Sequence, residues 1–178
     1  MIRILDILFS FLALIIFFPL LMILYLIGYL DTGSPLFIQK RVGLNQKEFK
    51  LFKFRTMKKG TLSTSTHLVN ESQITAFGHF LRKYKLDELP QLLNVVKGDM
   101  SLVGPRPCLC SQTRLIRERK KRKIFKVRPG MTGLAQIKGI NMKNPLVLAK
   151  TDLTLVKQMN SYYYTYYILM TLLLVLKK

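Results

Sequence analysis

The sequence predicts a mostly helical α/β protein held at a membrane. It combines a re-entrant N-terminal membrane helix hairpin with a small cytosolic domain of short strands and amphipathic interfacial helices. Three observations predict this. Residues 7–30 carry no charge and are interrupted by Pro19; two short runs after them alternate apolar with polar residues; the remainder is strongly basic with helix-like apolar spacing. The expected division is residues 1–33 in the membrane, 34–160 in the cytosol and 161–178 as a membrane-associated C-terminal helix.

The 178 residues include 29 Lys plus Arg against 9 Asp plus Glu, a formal net charge of +20. Such a charge requires an anionic partner: nucleic acid, a membrane surface or phosphorylated substrates. A hydrophobic fraction of 49% argues against a simple nucleic-acid binder. Cys108 and Cys110 stand too close for an unstrained disulfide, and His67 and His79 alone do not complete a zinc site. They read as reduced thiols of a cytosolic protein.

The run 7–30 exceeds the roughly 20 residues that cross a bilayer, and it lacks the flanks and cleavage site of a signal peptide. Pro19 removes a backbone hydrogen bond near its middle, so a break or kink is expected there. Arg3 and the amino terminus precede the run while Lys40 and Arg41 follow it, which gives no through-direction by the positive-inside rule. A hairpin that enters and leaves by the cytoplasmic face satisfies both flanks; a spanning helix with a tolerated proline kink is the competing reading.

A turn-rich exit at 31–35 leads to strands expected at 37–43 and 49–55, the second placing Lys53 and Arg55 on one face. The Thr- and Ser-rich stretch 60–66 reads as a loop. Helical spacing resumes at 74–84, with Phe77, Phe80, Leu81 and Tyr84 on one face, and carries Arg82. Then Leu89, Leu92, Leu93 and Val96 mark one apolar face of a short helix that Gly98 is suited to end. Asp87 is its expected N-cap, with Pro90 in the first turn. Asp87 and Glu88 would then sit at the positive end of the helix dipole, where a phosphate or a metal also finds partners. Taken alone, the pair reads as a helix cap and nothing more.

Two prolines hold Arg106 in residues 105–107, an arrangement suited to bidentate capture of phosphate. A second turn, 127–136, carries Arg128 and glycines that let backbone approach a ligand, without a P-loop or dinucleotide pattern. Between them, 114–126 is basic with interleaved Leu115, Ile116, Ile124 and Phe125. It is expected as an amphipathic helix on anionic headgroups, nucleic-acid binding being the alternative. The uncharged tail 158–176 opens on Tyr162, Tyr163, Tyr164, Tyr166 and Tyr167, which favours the bilayer interface, with a second span as the alternative.

In this order the pieces resemble the bacterial sugar transferase family, the small monotopic polyprenyl-phosphate phosphoglycosyl transferases. The residues that carry the resemblance are the apolar segment with Pro19, Lys53-Phe54-Arg55-Thr56-Met57, Phe80-Leu81-Arg82-Lys83, 86–91, 97–107 and 127–136. Phe18 stands where many members carry Ser, and Leu134 where relatives often carry Trp. The resemblance implies an enzyme on the cytoplasmic face of the bacterial inner membrane. It would move a sugar 1-phosphate from a UDP-sugar to polyprenyl (undecaprenyl) phosphate and release UMP, the first membrane step of surface polysaccharide synthesis. It assigns Asp87 as the nucleophile that forms a phospho-sugar aspartyl intermediate and Glu88, with Asp87, as the ligands of Mg2+. A carboxylate attacks a diphosphate only when cations cancel the repulsion; Arg82, Arg106 and Arg128 are the candidates, with Lys53 and Arg55 behind them. UDP-sugar, polyprenyl phosphate and membrane lipids are the expected partners, without nucleic acid; a homo-oligomer is left open. The alternative from another class is a non-catalytic basic peripheral membrane protein that binds anionic lipids, and that role has no need of the acidic pair.

Overall fold

The computed structural model describes residues 1–61 and 71–176. Residues 62–66 of the expected loop, and His67, lie outside the described residues.

The uncharged run forms one helix, α1 (Ile2–Thr32), which Gly33 ends in the left-handed region at φ 64, its N–H donating to the Tyr29 carbonyl. At 1.5 Å per residue α1 is about 46 Å long. The helix runs unbroken through Pro19, so the expected interruption at this residue is not seen. A proline withholds one N–H and crowds one carbonyl, which bends a helix without ending it when the flanking turns are strongly helical. Asp6, Ser10, Leu24 and Gly28 form the buried stripe of α1, while Leu8, Phe11, Ile15, Ile16 and Phe18 are exposed. Among the described residues it alone is long and apolar enough to cross a membrane.

Both ends of α1 are fastened to the rest of the protein. Near its start, Arg3 donates to the carbonyls of Val95 and Val96 at 2.8 and 3.0 Å. The buried Asp6 carboxylate accepts from Ser101 Oγ, the Leu102 N–H and Tyr164 Oη at 2.9, 2.9 and 2.8 Å. At the other end Thr75 Oγ1 donates to Asp31 at 2.7 Å, and Gly28 lies against Pro35 and Phe77.

Strands β1 (Leu36–Val42) and β2 (Glu48–Phe54) pair antiparallel from Leu36↔Phe54 to Val42↔Glu48, one residue earlier than expected. The connection turns on Asn45 and Gln46, both left-handed. Helix α2 (Ala76–Lys83) starts where Thr75 Oγ1 accepts the Gly78 N–H. Of its expected apolar face, Leu81 is buried against Leu24 and Phe54, whereas Phe80 and Tyr84 are exposed.

Short strands β3 (Ser101–Val103) and β4 (Gly130–Thr132) pair in parallel and bring the two Arg-Pro turns side by side. A Cβ on Gly130 would lie 2.0 Å from the Gly104 nitrogen. The glycine there admits a neighbouring backbone.

The basic run divides into α4 (Thr113–Lys121) and a 3-10 turn, Ile124–Lys126. Leu115, Ile124 and Phe125 enter a core with Val42, Cys108, Leu148 and Ala149. The apolar side of the run is thus consumed by the protein, and the expected helix lying on headgroups is corrected to a core helix with Arg114, Arg117, Lys120 and Lys121 outward. Its partner is α6 (Pro145–Gln158), a helix that the sequence reading did not anticipate, capped by Asn144 with Pro145 in the first turn. The short α5 (Leu134–Ile137) leads into it, and α7 (Ser161–Leu176) closes the described chain. In α7, Tyr164 and Tyr167 are buried against Val103 and Leu155, while Tyr162, Leu169, Leu172 and Leu173 are exposed. Cys108 is buried, Cys110 exposed, and both are unpaired.

Candidate active site

Lys85 adopts a left-handed conformation at φ 55, uncommon for a side chain with a Cβ. It throws the chain into a 3-10 turn, Leu86–Glu88, closed by Glu88 N–H to the Lys85 carbonyl and Leu89 N–H to the Leu86 carbonyl. The following helix α3 (Gln91–Lys97) begins only after Pro90 and ends at Gly98, φ 98. Asp87 is therefore not its N-cap; the i to i+3 turn ends before the α-helix starts. The buried face of α3 is Gln91, Leu92, Asn94 and Val95, and Leu93 is 51% exposed, a correction to the expected apolar face. The cause is Asn94, which turns inward to accept the Phe52 N–H at 3.0 Å and to donate to the Lys50 carbonyl at 2.7 Å. This pins α3 to β2 and carries the acidic turn with it.

Glu88 and Asp87 differ in their surroundings. Glu88 is ion-paired with Arg106 at 2.5 Å. Burial pushes its carboxyl up, but the charge and hydrogen bond of Arg106 prevail and hold it below its ordinary value. Arg106 in turn is held above its ordinary value, chiefly by Glu88. Asp87 enters no ion pair among the described residues. Burial, then repulsion from Glu88, raises it to about 6 against the pull of Lys53, Arg82 and Arg106. One carboxylate is committed and the other uncommitted.

The cations act from three elements. Lys53, on β2, is lowered to about 8 by burial and by Arg41. Arg82, at the end of α2, donates to Thr56 Oγ1 at 2.9 Å; burial lowers it against the attraction of Asp87. Arg106 sits on a turn braced by two buried guanidinium groups. Arg119 donates to the Arg106 carbonyl at 2.8 Å while holding Asp152 at 2.9 and 2.7 Å, and Arg41 donates to the Pro107 carbonyl at 3.1 Å. Two expected residues are placed elsewhere. Arg55 donates to the Ser34 carbonyl at 2.8 Å, at the exit from α1, sharing the Phe37 ring with Lys53. Arg128 donates to the Gly98 carbonyl at 2.9 Å, at the far end of α3 from the acidic turn.

Two cavities meet at Arg106 and Gln136. One, of about 320 Å³, is largely apolar: Phe17 of α1, Leu86, Leu89, and Ile168, Leu172 and Val175 of α7 line it, with Glu88 and Arg106 among its polar residues. The other, of about 300 Å³, lies between Arg106, α5 and Ile140, Asn141, Met142 and Leu148. Among the described residues no three His, Cys, Asp or Glu side chains form a metal cluster. The Asp87-Glu88 pair supplies hard carboxylate oxygens of the kind Mg2+ takes when phosphate and water complete its shell, so the donor set fits that ion.

Arg41, Arg119 and Asp152 are site residues that sequence reasoning missed as such. Arg119 is hidden in the basic run by equally basic neighbours, and only the 3.6-residue spacing Leu115, Ile116, Arg119 marks it as inward. Arg41 follows Gln39 by two, on the same strand face, and Gln39 accepts from it at 2.6 Å.

Residues 1–178 match the sequence profile of the family described as bacterial sugar transferase. The chain is 50% identical over 113 residues to "Uncharacterized sugar transferase EpsL" of Bacillus subtilis, covering 63% of this chain and 55% of that protein. It is 38% identical over 156 residues to the "Undecaprenyl-phosphate galactose phosphotransferase" of Salmonella typhimurium, covering 78% and 33%. It is 39% identical over 145 residues to the "UDP-glucose:undecaprenyl-phosphate glucose-1-phosphate transferase" of Caulobacter vibrioides, covering 78% and 54%. The matched regions thus span between a third and just over half of these three relatives. With the match running through the long apolar helix, the acidic turn and both Arg-Pro turns, the chain belongs to the bacterial sugar transferase family.

Proposed function

We propose that this protein transfers a sugar 1-phosphate from a UDP-sugar to undecaprenyl phosphate, releasing UMP, as the first membrane step of surface polysaccharide synthesis. The observation that carries the reading is the uncommitted Asp87, raised to about 6 beside Lys53, Arg82 and Arg106. An ionised carboxylate with that pKa is available at neutral pH and is a better nucleophile than an ordinary aspartate. One Asp87 oxygen attacks the β-phosphorus of the donor; the bond from that phosphorus to the oxygen bridging it to the α-phosphorus breaks, and UMP leaves with the electron pair. The undecaprenyl phosphate oxygen then attacks the same phosphorus and displaces the Asp87 carboxylate. Arg106, rigid on its turn and already paired with Glu88, is placed to hold the transferring phosphoryl oxygens, with Arg82 and Lys53 offsetting the remaining charge. Glu88 and Asp87 would hold Mg2+, which when bound supplies further charge neutralisation at the diphosphate.

The apolar cavity supports a lipid acceptor, because Phe17 of the long apolar helix and Ile168, Leu172 and Val175 of α7 line it together with the Glu88-Arg106 pair. The fastening of both ends of α1 to one body supports re-entry of residues 1–33 from the cytoplasmic face of the inner membrane. The exposed apolar side of α7 supports its resting against the same leaflet. Membranes containing the protein, given a panel of UDP-sugars, undecaprenyl phosphate and Mg2+, are expected to release UMP with at least one donor, and Asp87→Asn to abolish it. Full activity in Asp87→Asn would overturn the nucleophile; lipid-vesicle binding without UMP release from any donor would favour a non-catalytic membrane protein.

A further inference from the structure

We propose that Lys85 receives the phosphate of the polyprenyl acceptor in the apolar cavity; this rests on the transferase reading above and names the residue that holds its second substrate. Among the described residues, three charged ones line that cavity: Lys85, Glu88 and Arg106. Glu88 and Arg106 are paired, so their charges cancel. Lys85 is half-buried and enters no ion pair among the described residues, which leaves it as the uncompensated charge of the lining. The hydroxyls of Thr132 and Thr171, also in the lining, are bonded to each other. A phosphate gives up hydration on entering a cavity walled by leucine, isoleucine and phenylalanine, and it needs a cation there. An isoprenoid chain suits the same walls.

The backbone at Lys85 does not account for a lysine. It holds φ 55 and ψ 23 between α2 and the acidic turn, its N–H donating to the Arg82 carbonyl at 3.2 Å and its carbonyl accepting the Glu88 N–H at 3.3 Å. Glycine or asparagine takes that left-handed conformation at less cost. Strain of this kind collects where a side chain has work at a ligand. Burial raises Glu88, Arg106 lowers it most and Lys85 acts in the same direction as Arg106, so the ammonium is within electrostatic reach of that carboxylate. Lys53 and Arg82, whose charges act on Asp87, do not line the cavity. The donor diphosphate and the acceptor phosphate would thus meet different cations, with Arg106 common to both.

The test compares the wild-type protein with Lys85→Asn and Lys85→Gly, two substitutions that keep the left-handed turn and should leave thermal stability equal or higher. Native mass spectrometry of the full chain in detergent measures binding of undecaprenyl phosphate, undecaprenol and phosphatidylglycerol, and UMP release is followed at varied undecaprenyl phosphate and varied donor. The wild-type protein is expected to prefer undecaprenyl phosphate to undecaprenol. Both variants should lose roughly 10-fold of that preference, the scale of one charge-assisted hydrogen bond, and Lys85→Arg should keep most of it. In turnover, kcat/KM for undecaprenyl phosphate should fall by a similar factor while kcat/KM for the donor stays the same, because with an aspartyl intermediate each reports its own half-reaction. No such preference in the wild-type protein, or an unchanged one in folded variants, would overturn the assignment. Equal loss of phosphatidylglycerol binding would assign Lys85 to bulk headgroups instead, and a fall in both kcat/KM values without a change in binding would reduce it to a support of Glu88. If the wild-type protein releases no UMP from any donor, the catalytic reading fails, and the phosphate preference in binding decides the role of Lys85 by itself.

Discussion

Asp87 and Glu88 are chemically near-identical neighbours, and what separates them is a single partner. Arg106 secures Glu88 as an ionised carboxylate, so that the second negative charge has to be carried by Asp87, which has no ion pair among the described residues. The folded-state value near 6 lies above the ordinary 3.8. Its contribution to stability is therefore full below the ordinary value and lost as pH rises through about 6. At pH 7.5 the buried charge opposes folding, and Asp87→Asn is expected to raise stability by about 1 to 2 kcal/mol while abolishing turnover. Thermal unfolding at pH 7.5 and at pH 5 checks this, the difference between variant and wild type shrinking at the lower pH. On the proposed chemistry the same groups are expected to give a bell-shaped kcat/KM, with activity falling below about 6 as Asp87 is protonated and above about 8 as Lys53 loses its proton. Lys53→Met should lower the rate and remove the alkaline limb; a limb that persists would assign it to another group.

At the scale of elements, the site is a meeting of turns held by buried cations. Arg119 and Asp152 join α4 to α6, and the same guanidinium holds the carbonyl of Arg106. Arg119→Met leaves a buried carboxylate without a counter-charge and is expected to cost roughly 3 to 5 kcal/mol in denaturant unfolding. Arg119→Met combined with Asp152→Leu should recover most of that stability yet keep UMP release low, because the Arg106 carbonyl has still lost its donor. Recovery of activity along with stability would show that the pair acts through folding alone. The parallel contact of β3 with β4 depends on Gly130, whose Cβ would fall on the Gly104 backbone. Gly130→Ala should therefore destabilise the protein by roughly 3 kcal/mol or more, since backbone on both sides has to shift.

For the whole molecule the governing fact is that α1 is bound at both ends. Arg3 and Asp6 reach α3, β3 and α7, and Asp31 reaches the start of α2, so the long apolar helix is a part of the folded body. A helix of about 46 Å is far longer than the roughly 30 Å hydrocarbon core. Single cysteines placed at position 2 and at position 178, in a chain carrying Cys110→Ser, are expected to react with an impermeant thiol reagent from the cytoplasmic side. Labelling of the N-terminal cysteine from the opposite side would restore a spanning helix.

The long apolar segment, the strand pair and the helix ending at Gly98 were legible because each follows from local rules: an uncharged run, period-two alternation, a glycine after an apolar face. The acidic pair and the rigid Arg106 were legible for the same reason, as rare carboxylates in a basic chain and an arginine between prolines. What only the tertiary structure decided is which charges meet. Arg106 joins Glu88, whereas the equally turn-bound Arg128 caps the far end of α3, a choice made by the parallel pairing of β3 with β4 across the 26 residues 104–129. Likewise Arg119 among its basic neighbours, and Pro19 within an unbroken helix, took their roles from packing. Sequence by itself determined which residue types were present to do the chemistry; long-range contacts, which no local window contains, decided which of them share a site.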